Sequence, residues 1–362
     1  MIKVVLLGCG ERGRIYKEYM RSHPESYSII AVADRADEDA EFRDWREALD
    51  KTAGKADAVI VALPDKDHFL AGRAALERGF HVLMEKPIAL NRRELSRLRQ
   101  RLLRNSRLMM PCYVLRYSSH YRKLAEILKS GVIGDIISIH HLNAISYAKT
   151  AANFCRGNWG RAEESGPIIL TKCSHDIDLI LSWLNYKEPD RVVSFGGHKL
   201  FSPENAPAGS TAECAHCKCS ECVFKVDGEE CVYTIGSDVA DHQTTLFEYY
   251  GGPLVTFEME AITAKRGRFT RFFGTKGTLL SDDADIQKIT LRVFGRDEVI
   301  YDTTNPIHHD GGDEGVIEEF RRLVENHVGA SEKNRLFAEA AMSHKLALIA
   351  EMRRETNARK VK

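Results

Sequence analysis

At 362 residues the chain is long enough for two domains and too long for a single compact core to be the default. Its 52 Lys and Arg balance 52 Asp and Glu, which argues against nucleic acid or an anionic membrane as a broad electrostatic partner. The longest apolar stretches, such as VVLL and AVIVAL, fall well short of a membrane span, and Lys3 to Gly8 reads as a buried strand rather than a leader. The expected location is therefore cytoplasmic, where disulfides are rare and the nine cysteines are thiols or metal ligands.

Ile2 to Leu7 is a continuous apolar run, the pattern of a strand covered on both faces. GCGERG follows, with Gly8, Gly10 and Gly13 at dinucleotide-loop spacing, and Arg14 to Met20 has helical composition. In such a loop Gly8 permits the tight turn, Gly10 admits the pyrophosphate to the backbone, and Gly13 lets helix pack on strand. The helix N-terminus then offers free N–H groups to the phosphates. The second strand, Ser28 to Ala33, ends in Asp34, 21 residues beyond Gly13, where a carboxylate accepts from the adenosine ribose hydroxyls. That favours NAD, with NADP as the alternative because Arg35 stands next to it. A third strand, Ala58 to Leu63, leads to Pro64; a helix, Asp67 to Arg78, precedes a fourth strand, Phe80 to Met84. This alternation predicts a parallel α/β sheet of the Rossmann type.

The fourth strand runs into Glu85-Lys86-Pro87. With GCGERG, ALPDKDH (62–68), GFHVLMEKPIAL (79–90), GVIGDI (131–136) and HDIDLILSWL (175–184), the chain resembles the Gfo/Idh/MocA oxidoreductases, which include glucose–fructose oxidoreductase and inositol dehydrogenase. The resemblance implies an enzyme that moves a hydride between a nicotinamide and a CH–OH carbon of a sugar, sugar derivative or cyclitol. Lys86 would be the acid/base and Glu85 would hold it. A partly desolvated lysine near a cationic ring suits removal of the hydroxyl proton. The cofactor contacts expected from motif and resemblance are Gly8, Gly10, Glu11, Arg12, Gly13, Asp34, Arg35, Leu63, Pro64, His68, Glu85 and Lys86.

After Arg116-Tyr117 a helix, Tyr121 to Ser130, is followed by strands at Ile136 to His141, Arg191 to Gly196, Leu254 to Ala261, Arg268 to Gly274 and Thr290 to Phe294. The expected organisation is a dinucleotide-binding domain over 1–118 and an α+β domain over 119–362 with a large open, mostly antiparallel sheet. The C-terminal helices are expected to pack back on the first domain. By resemblance the sheet makes a homodimer or homotetramer.

On a helix opening near Pro167, Thr171, His175 and Asp178 would share one side. In the family's best-known members an Asp stands four residues before the His; here that place holds Thr171, with Lys172 and Asp176 as substitutes. The expected polar set is Lys86, His175 and Lys172, against the alternative of a core histidine. Arg116, Tyr117, Arg156, Trp159, Thr171, His175 and His309 are candidates for substrate contact, the Arg and Trp with packing as the equal alternative. His309 is expected either to reach the pocket or, with Asp313, to cap the following helix.

Cys214, Cys217, Cys219, Cys222 and Cys231 crowd 18 residues of an insertion spanning about 202–232. Structural zinc, free thiols and an oxidised pair are the readings that their spacing allows. Three functions remain open from sequence: a dehydrogenase, an NAD-using glycosidase or epimerase without net redox change, and a non-catalytic nucleotide or sugar sensor.

Overall fold

The apolar runs of the N-terminal third pair as β1 (Ile2–Leu7), β2 (Tyr27–Ala33), β3 (Ala58–Val61), β4 (His81–Met84) and β5 (Met109–Pro111). They form a parallel sheet of order β2-β1-β3-β4-β5. Between them run α1 (Glu11–Ser22), α2 (Trp45–Thr52), α3 (Asp65–Glu77) and α4 (Arg92–Leu103). The computed structural model describes residues 1–219, 221–284, 287–305 and 308–360. The chain divides into two units, Met1–Tyr121 with Pro306–Lys345, and Arg122–Asn305 with Leu346–Lys362.

Alternate strand residues explain why the runs are unbroken. Val5, Leu7, Val59, Val61, Val82 and Met84 pack with Ala48, Leu49, Phe69, Ala75 and Leu98 of α2, α3 and α4. Ile2, Val4, Leu6, Ala58, Ile60 and Leu83 face the opposite way, onto Tyr16 and Met20 of α1. Both faces are dry, as a parallel sheet under helices requires. The strand order reverses at β1/β3, so the crevice beyond the carboxyl ends of those strands is the natural ligand position.

The second unit begins after a 3₁₀ turn (Val114–Tyr117) and α5 (Ser119–Lys129). Its sheet contains β6 (Ile136–Ser146), then β7 (Arg191–Gly197), β8 (His242–Glu248), β9 (Leu254–Thr263), β10 (Gly267–Gly274), β11 (Gly277–Asp282), β12 (Lys288–Val293) and β13 (Val299–Asp302). The order is β13-β12-β11-β10-β6-β9-β8-β7, antiparallel except for β6 beside β9. Between β6 and β7 lie α6 (Tyr147–Lys149), a π-helical stretch (Thr150–Arg156), α7 (Ala162–Ser165), α8 (Ile168–Thr171) and α9 (Ser174–Trp183). Trp183 meets Phe272 edge-on at 5.0 Å, seating α9 on the sheet. The chain closes with α10 (Gly312–Glu325), whose Val316, Ile317 and Phe320 join Tyr16 and Met20 in the first unit, and α11 (Ala330–Lys360).

One of the strands not expected from sequence is β8, and one expectation needs correction. Strand β8 escapes the apolar pattern because its inward residues include Gln243 and Thr245, whose side chains bond to the buried Ser194 of β7 at 3.0 and 2.9 Å. The single helix expected over Pro167 to Leu184 is instead two, broken at Lys172–Cys173. There the Cys173 N–H reaches back five residues to the Ile168 carbonyl, 3.4 Å away, widening the turn.

Candidate functional site

The glycine loop follows β1 at the reversal point. Gly8 has φ +90°, and a Cβ there would stand 2.3 Å from the Ala62 carbonyl oxygen. At Gly13 a Cβ would stand 2.0 Å from the Gly8 carbonyl oxygen, so the α1–β1 approach requires glycine. At Gly10 a Cβ would meet nothing within 4 Å: the backbone faces open space, the room a pyrophosphate needs. Glu11 and Arg35 are exposed, as is Pro64 after β3, while Leu63 is half-buried.

Asp34, at the end of β2, accepts N–H bonds from Cys9 (2.6 Å), Ala36 (2.7 Å) and Asp37 (2.9 Å). Burial opposes its ionisation, but these bonds outweigh it and hold the carboxyl below its ordinary range. A fixed carboxylate one strand from the loop fits a ribose diol and opposes a 2′-phosphate. The donor set and the open Gly10 backbone together fit a nicotinamide dinucleotide.

The second element is the corner Glu85 to Ile88, beyond β4. Glu85 is buried, its Oε1 accepting from Arg12 Nε at 2.6 Å and the Tyr16 hydroxyl at 2.7 Å. Its Oε2 accepts the Lys86 N–H at 3.2 Å. Burial would raise its pKa, yet Arg12, Lys86 and Tyr16 pull it below the usual value. Arg12 Nη2 also donates to Asp313 Oδ1 (2.6 Å) and to the Tyr16 hydroxyl (2.7 Å). His68, wholly buried, sets its ring nitrogens 2.8 Å from the Pro87 carbonyl and 2.7 Å from the Leu63 carbonyl. The Ile88 N–H donates to His344 Nε2 at 2.9 Å. Lys86 itself is half-buried. Four side chains, Arg12, Tyr16, His68 and His344, thus fix the backbone that carries Lys86. Both Tyr16 and His344 are missed from sequence: a place one helical turn beyond Arg12 is the available signal for Tyr16, while nothing local marks His344, which arrives from 256 residues away.

In the second unit Thr171 and His175 lie on different helices, Thr171 buried with its hydroxyl donating to the Pro167 carbonyl at 3.2 Å. Lys172 in the turn and His175 in the first turn of α9 are half-buried. Asp176, considered as a stand-in for the absent carboxylate, is wholly buried against the sheet. Its Oδ1 accepts from Arg268 Nε (2.6 Å) and lies 3.0 Å from His141 Nε2, while Oδ2 accepts from Asn143 at 2.8 Å. Asn143 and His141 on β6 stand opposite Arg268 and Thr270 on β10, a polar two-by-two patch that receives the helix.

Other candidates are engaged elsewhere. Arg116 pairs with Glu339 at 3.1 Å. Tyr117 ends the 3₁₀ turn, half-buried. Arg156 donates to the carbonyls of Glu230 (2.7 Å) and Phe224 (2.6 Å), bracing the cysteine-bearing insertion, and Trp159 lies against Phe154 with ring centres 5.7 Å apart. His309 pairs side chain to side chain with Asp313 at 2.8 Å beside the start of α10, but the N-cap of that helix is Gly311 and no side chain caps it, so the expected cap is not formed.

The zinc expectation finds no support. All five clustered cysteines are free thiols, and among the described residues no three His, Cys, Asp or Glu side chains converge on one point. Cys214 and Cys231 are instead packed with Phe201, Phe224, Val232 and Tyr233 in a small apolar core. Free cysteine serves there as a compact hydrophobe.

Residues 2–113 match the family described as "Oxidoreductase family, NAD-binding Rossmann fold", and residues 121–280 the "GFO/IDH/MocA C-terminal domain". The chain is 24% identical over 263 residues to a Bacillus subtilis (strain 168) protein named as an oxidoreductase, YteT, covering 63% of this chain and 61% of that one. It is 29% identical over 157 residues to inositol 2-dehydrogenase 1 of Saccharopolyspora erythraea, 40% of this chain and 46% of the other. The chain therefore spans less than two thirds of the length of either relative. The myo-inositol 2-dehydrogenase of Lactobacillus plantarum has the same fold, with TM-score 0.73 at 15% identity over 98% of each chain. So does an inositol dehydrogenase homologue from Azotobacter vinelandii crystallised with NAD+, with TM-score 0.70 at 18% identity over 99% of this chain and 95% of that one. No helix among the described residues is long and apolar enough to cross a membrane. On the paired domain matches and the shared fold, the chain belongs to the Gfo/Idh/MocA family of oxidoreductases.

Proposed function

We propose that this protein is an NAD-dependent dehydrogenase of a sugar, sugar derivative or cyclitol hydroxyl, working in the cytoplasm as a homodimer or homotetramer. The observation that carries the reading is the corner at Glu85 to Ile88: a lysine at the carboxyl end of a parallel strand, its backbone pinned on both sides by buried polar groups. Such pinning suits a group that must meet a reacting atom within a fraction of an ångström. Gly8, Gly10, Gly13 and Asp34 would hold the dinucleotide, which supplies the hydride acceptor when bound. Lys86 takes the hydroxyl proton as the carbinol becomes a carbonyl, and returns it in the reverse direction. Within the second unit, His175 and Lys172 are the polar residues to which the family resemblance assigns a part in catalysis. The dehydrogenase names among the relatives support a polyhydroxylated substrate.

The test is nicotinamide reduction by the pure protein with NAD and a panel of inositols, hexoses, uronates and anhydrosugars. Steady accumulation of NADH with one class names the substrate; consumption of a panel member without net NADH would instead establish the redox-neutral reading. A specific observation keeps that second reading alive: Thr171 replaces the carboxylate of the usual relay with a hydroxyl bonded to its own backbone.

A further inference from the structure

Arg12 lies inside the glycine loop, where the sequence suggests a side chain aimed at the cofactor. In the structure its partners are two carboxylates and a phenol. Its Nε and Nη2 reach Glu85 and Asp313, each at 2.6 Å, and Nη2 also meets the Tyr16 hydroxyl. Nη1 is buried with no partner among the described residues. Glu85 and Asp313 are 93% and 97% shielded at their side chains, so one guanidinium serves two desolvated carboxylates, Asp313 having His309 as a further partner at 2.8 Å. Burial favours its neutral form, but Glu85 and Asp313 override that and push its pKa upward.

We propose that Arg12 is a positioning residue that sets both the place and the charge of the Glu85–Lys86 corner; this rests on the assignment of Lys86 as acid/base. The link is short. Arg12 and Tyr16 hold Oε1 of Glu85, and Oε2 holds the Lys86 backbone N–H. Asp313 competes with Glu85 for the same guanidinium, so the start of α10 governs how much of the Arg12 charge reaches the corner. Behind it, His309 and Asp310 take φ of +48° and +52° ahead of Gly311 at +78°, a left-handed run that carries the chain into α10 at Asp313. Lysine at position 12 could not do this work. The planar fork presents donors to both carboxylates and the phenol at once, whereas an ammonium is a point charge on a flexible stem.

The consequence is a pair of opposite responses at Lys86, read without any substrate. In Arg12→Gln, Glu85 loses its cation and turns to the Lys86 ammonium, so acetylation of Lys86 by an N-hydroxysuccinimide ester slows about three- to tenfold at fixed pH. In Asp313→Asn, Arg12 is released toward Glu85, and acetylation of Lys86 quickens about two- to fivefold. Arg12→Lys restores charge without the fork and recovers less than half of the loss. Peptide mass spectrometry reads Lys86 against the exposed Lys3 as internal standard, and NADH fluorescence titration checks that each variant still binds. Because Arg12→Gln takes the guanidinium from both Glu85 and Asp313 and risks misfolding, Asp313→Asn carries the test on its own, and a wild-type acetylation rate in that variant overturns the proposal as well. Wild-type acetylation rates in folded Arg12→Gln, or equal changes in the same direction in Arg12→Gln and Asp313→Asn, would overturn the proposal. Undiminished turnover in Lys86→Ala would instead remove the assignment of Lys86 and leave these acetylation rates standing.

Discussion

His344 accepts the backbone N–H of Ile88 through Nε2 at 2.9 Å, two residues past Lys86. Its Nδ1 lies 2.9 Å from the Ala340 carbonyl, so the ring is required in one neutral tautomer: donor at Nδ1, acceptor at Nε2. Burial, with the charges of Lys86 and His68, lowers its pKa to about 4, against the hydrogen bond to Ala340. His81 at the start of β4 behaves alike, lowered to about 4 by burial and by Arg107 and Lys333, its Nδ1 accepting the Leu108 N–H at 3.1 Å.

Both rings stay neutral in the folded protein and take up a proton in the unfolded chain below about pH 6.5. Their contribution is therefore complete above pH 6.5 and is lost as pH falls toward 4, on the order of 2 kcal/mol for each ring. Urea midpoints measured between pH 7.5 and 4.5 should fall across that window. His344→Gln should be less stable at pH 7.5 and lose less on acidification. A flat profile above pH 5 would contradict the buried neutral rings.

The Asp176 patch predicts a large structural cost. Burial opposes its charge, but Arg268 and His141 hold the carboxyl well below the usual range, so it stabilises the fold above about pH 4 and ceases to do so in acid. Asp176→Asn should cost about 3–5 kcal/mol by leaving the Arg268 cation without its buried partner. Asp176→Asn/Arg268→Gln should cost less than the sum of the two single changes. Additivity in a denaturation cycle would mean that the two side chains do not act as a pair.

Two glycines separate binding from folding. Gly10→Ala meets no protein atom, so it should leave the melting temperature unchanged while NADH affinity falls at least about tenfold, because the methyl group occupies the cofactor's space. Gly13→Ala should lose both stability and affinity, since its Cβ collides with the Gly8 carbonyl. Equal NADH affinity in Gly10→Ala and wild type would place the dinucleotide elsewhere.

Asp34 predicts cofactor choice. NADH should bind at least about tenfold more tightly than NADPH, the scale of one unfavourable charge contact. In Asp34→Ala the ratio should collapse toward unity, and Arg35→Ala should leave it unchanged or widen it. Fluorescence titration with both nucleotides decides; a wild-type preference for NADPH would give Arg35 the deciding role.

Much of the first unit was legible because its information is local. Gly8, Gly10, Gly13 and Asp34 lie at fixed spacings on a strand–turn–helix–strand stretch, and continuous apolar runs mark strands covered on both faces. The corner at Glu85 was legible as a motif, but its support was not. Asp313 reaches Arg12 across 301 residues and His344 reaches Ile88 across 256, and a buried histidine or carboxylate has no sequence signature of its own. The second unit was harder for a physical reason. Gln243, Thr245, His141 and Asn143 face its interior, so alternation of apolar and polar residues breaks where the sheet holds polar networks. The cysteine spacing could not choose between zinc and free thiols, because thiols packed in an apolar core, as Cys214 and Cys231 are, share that crowding with thiols that bind metal.

The central claim, that Lys86 moves the substrate proton, is tested most directly by comparing Lys86→Ala with wild type on two readouts: NADH affinity by fluorescence, and NAD reduction with the best polyol of the panel. The account predicts NADH affinity within about threefold of wild type and a loss of turnover of at least about 10²-fold, the usual scale for a missing acid/base group. Turnover within tenfold of wild type, with the cofactor bound normally, would contradict it.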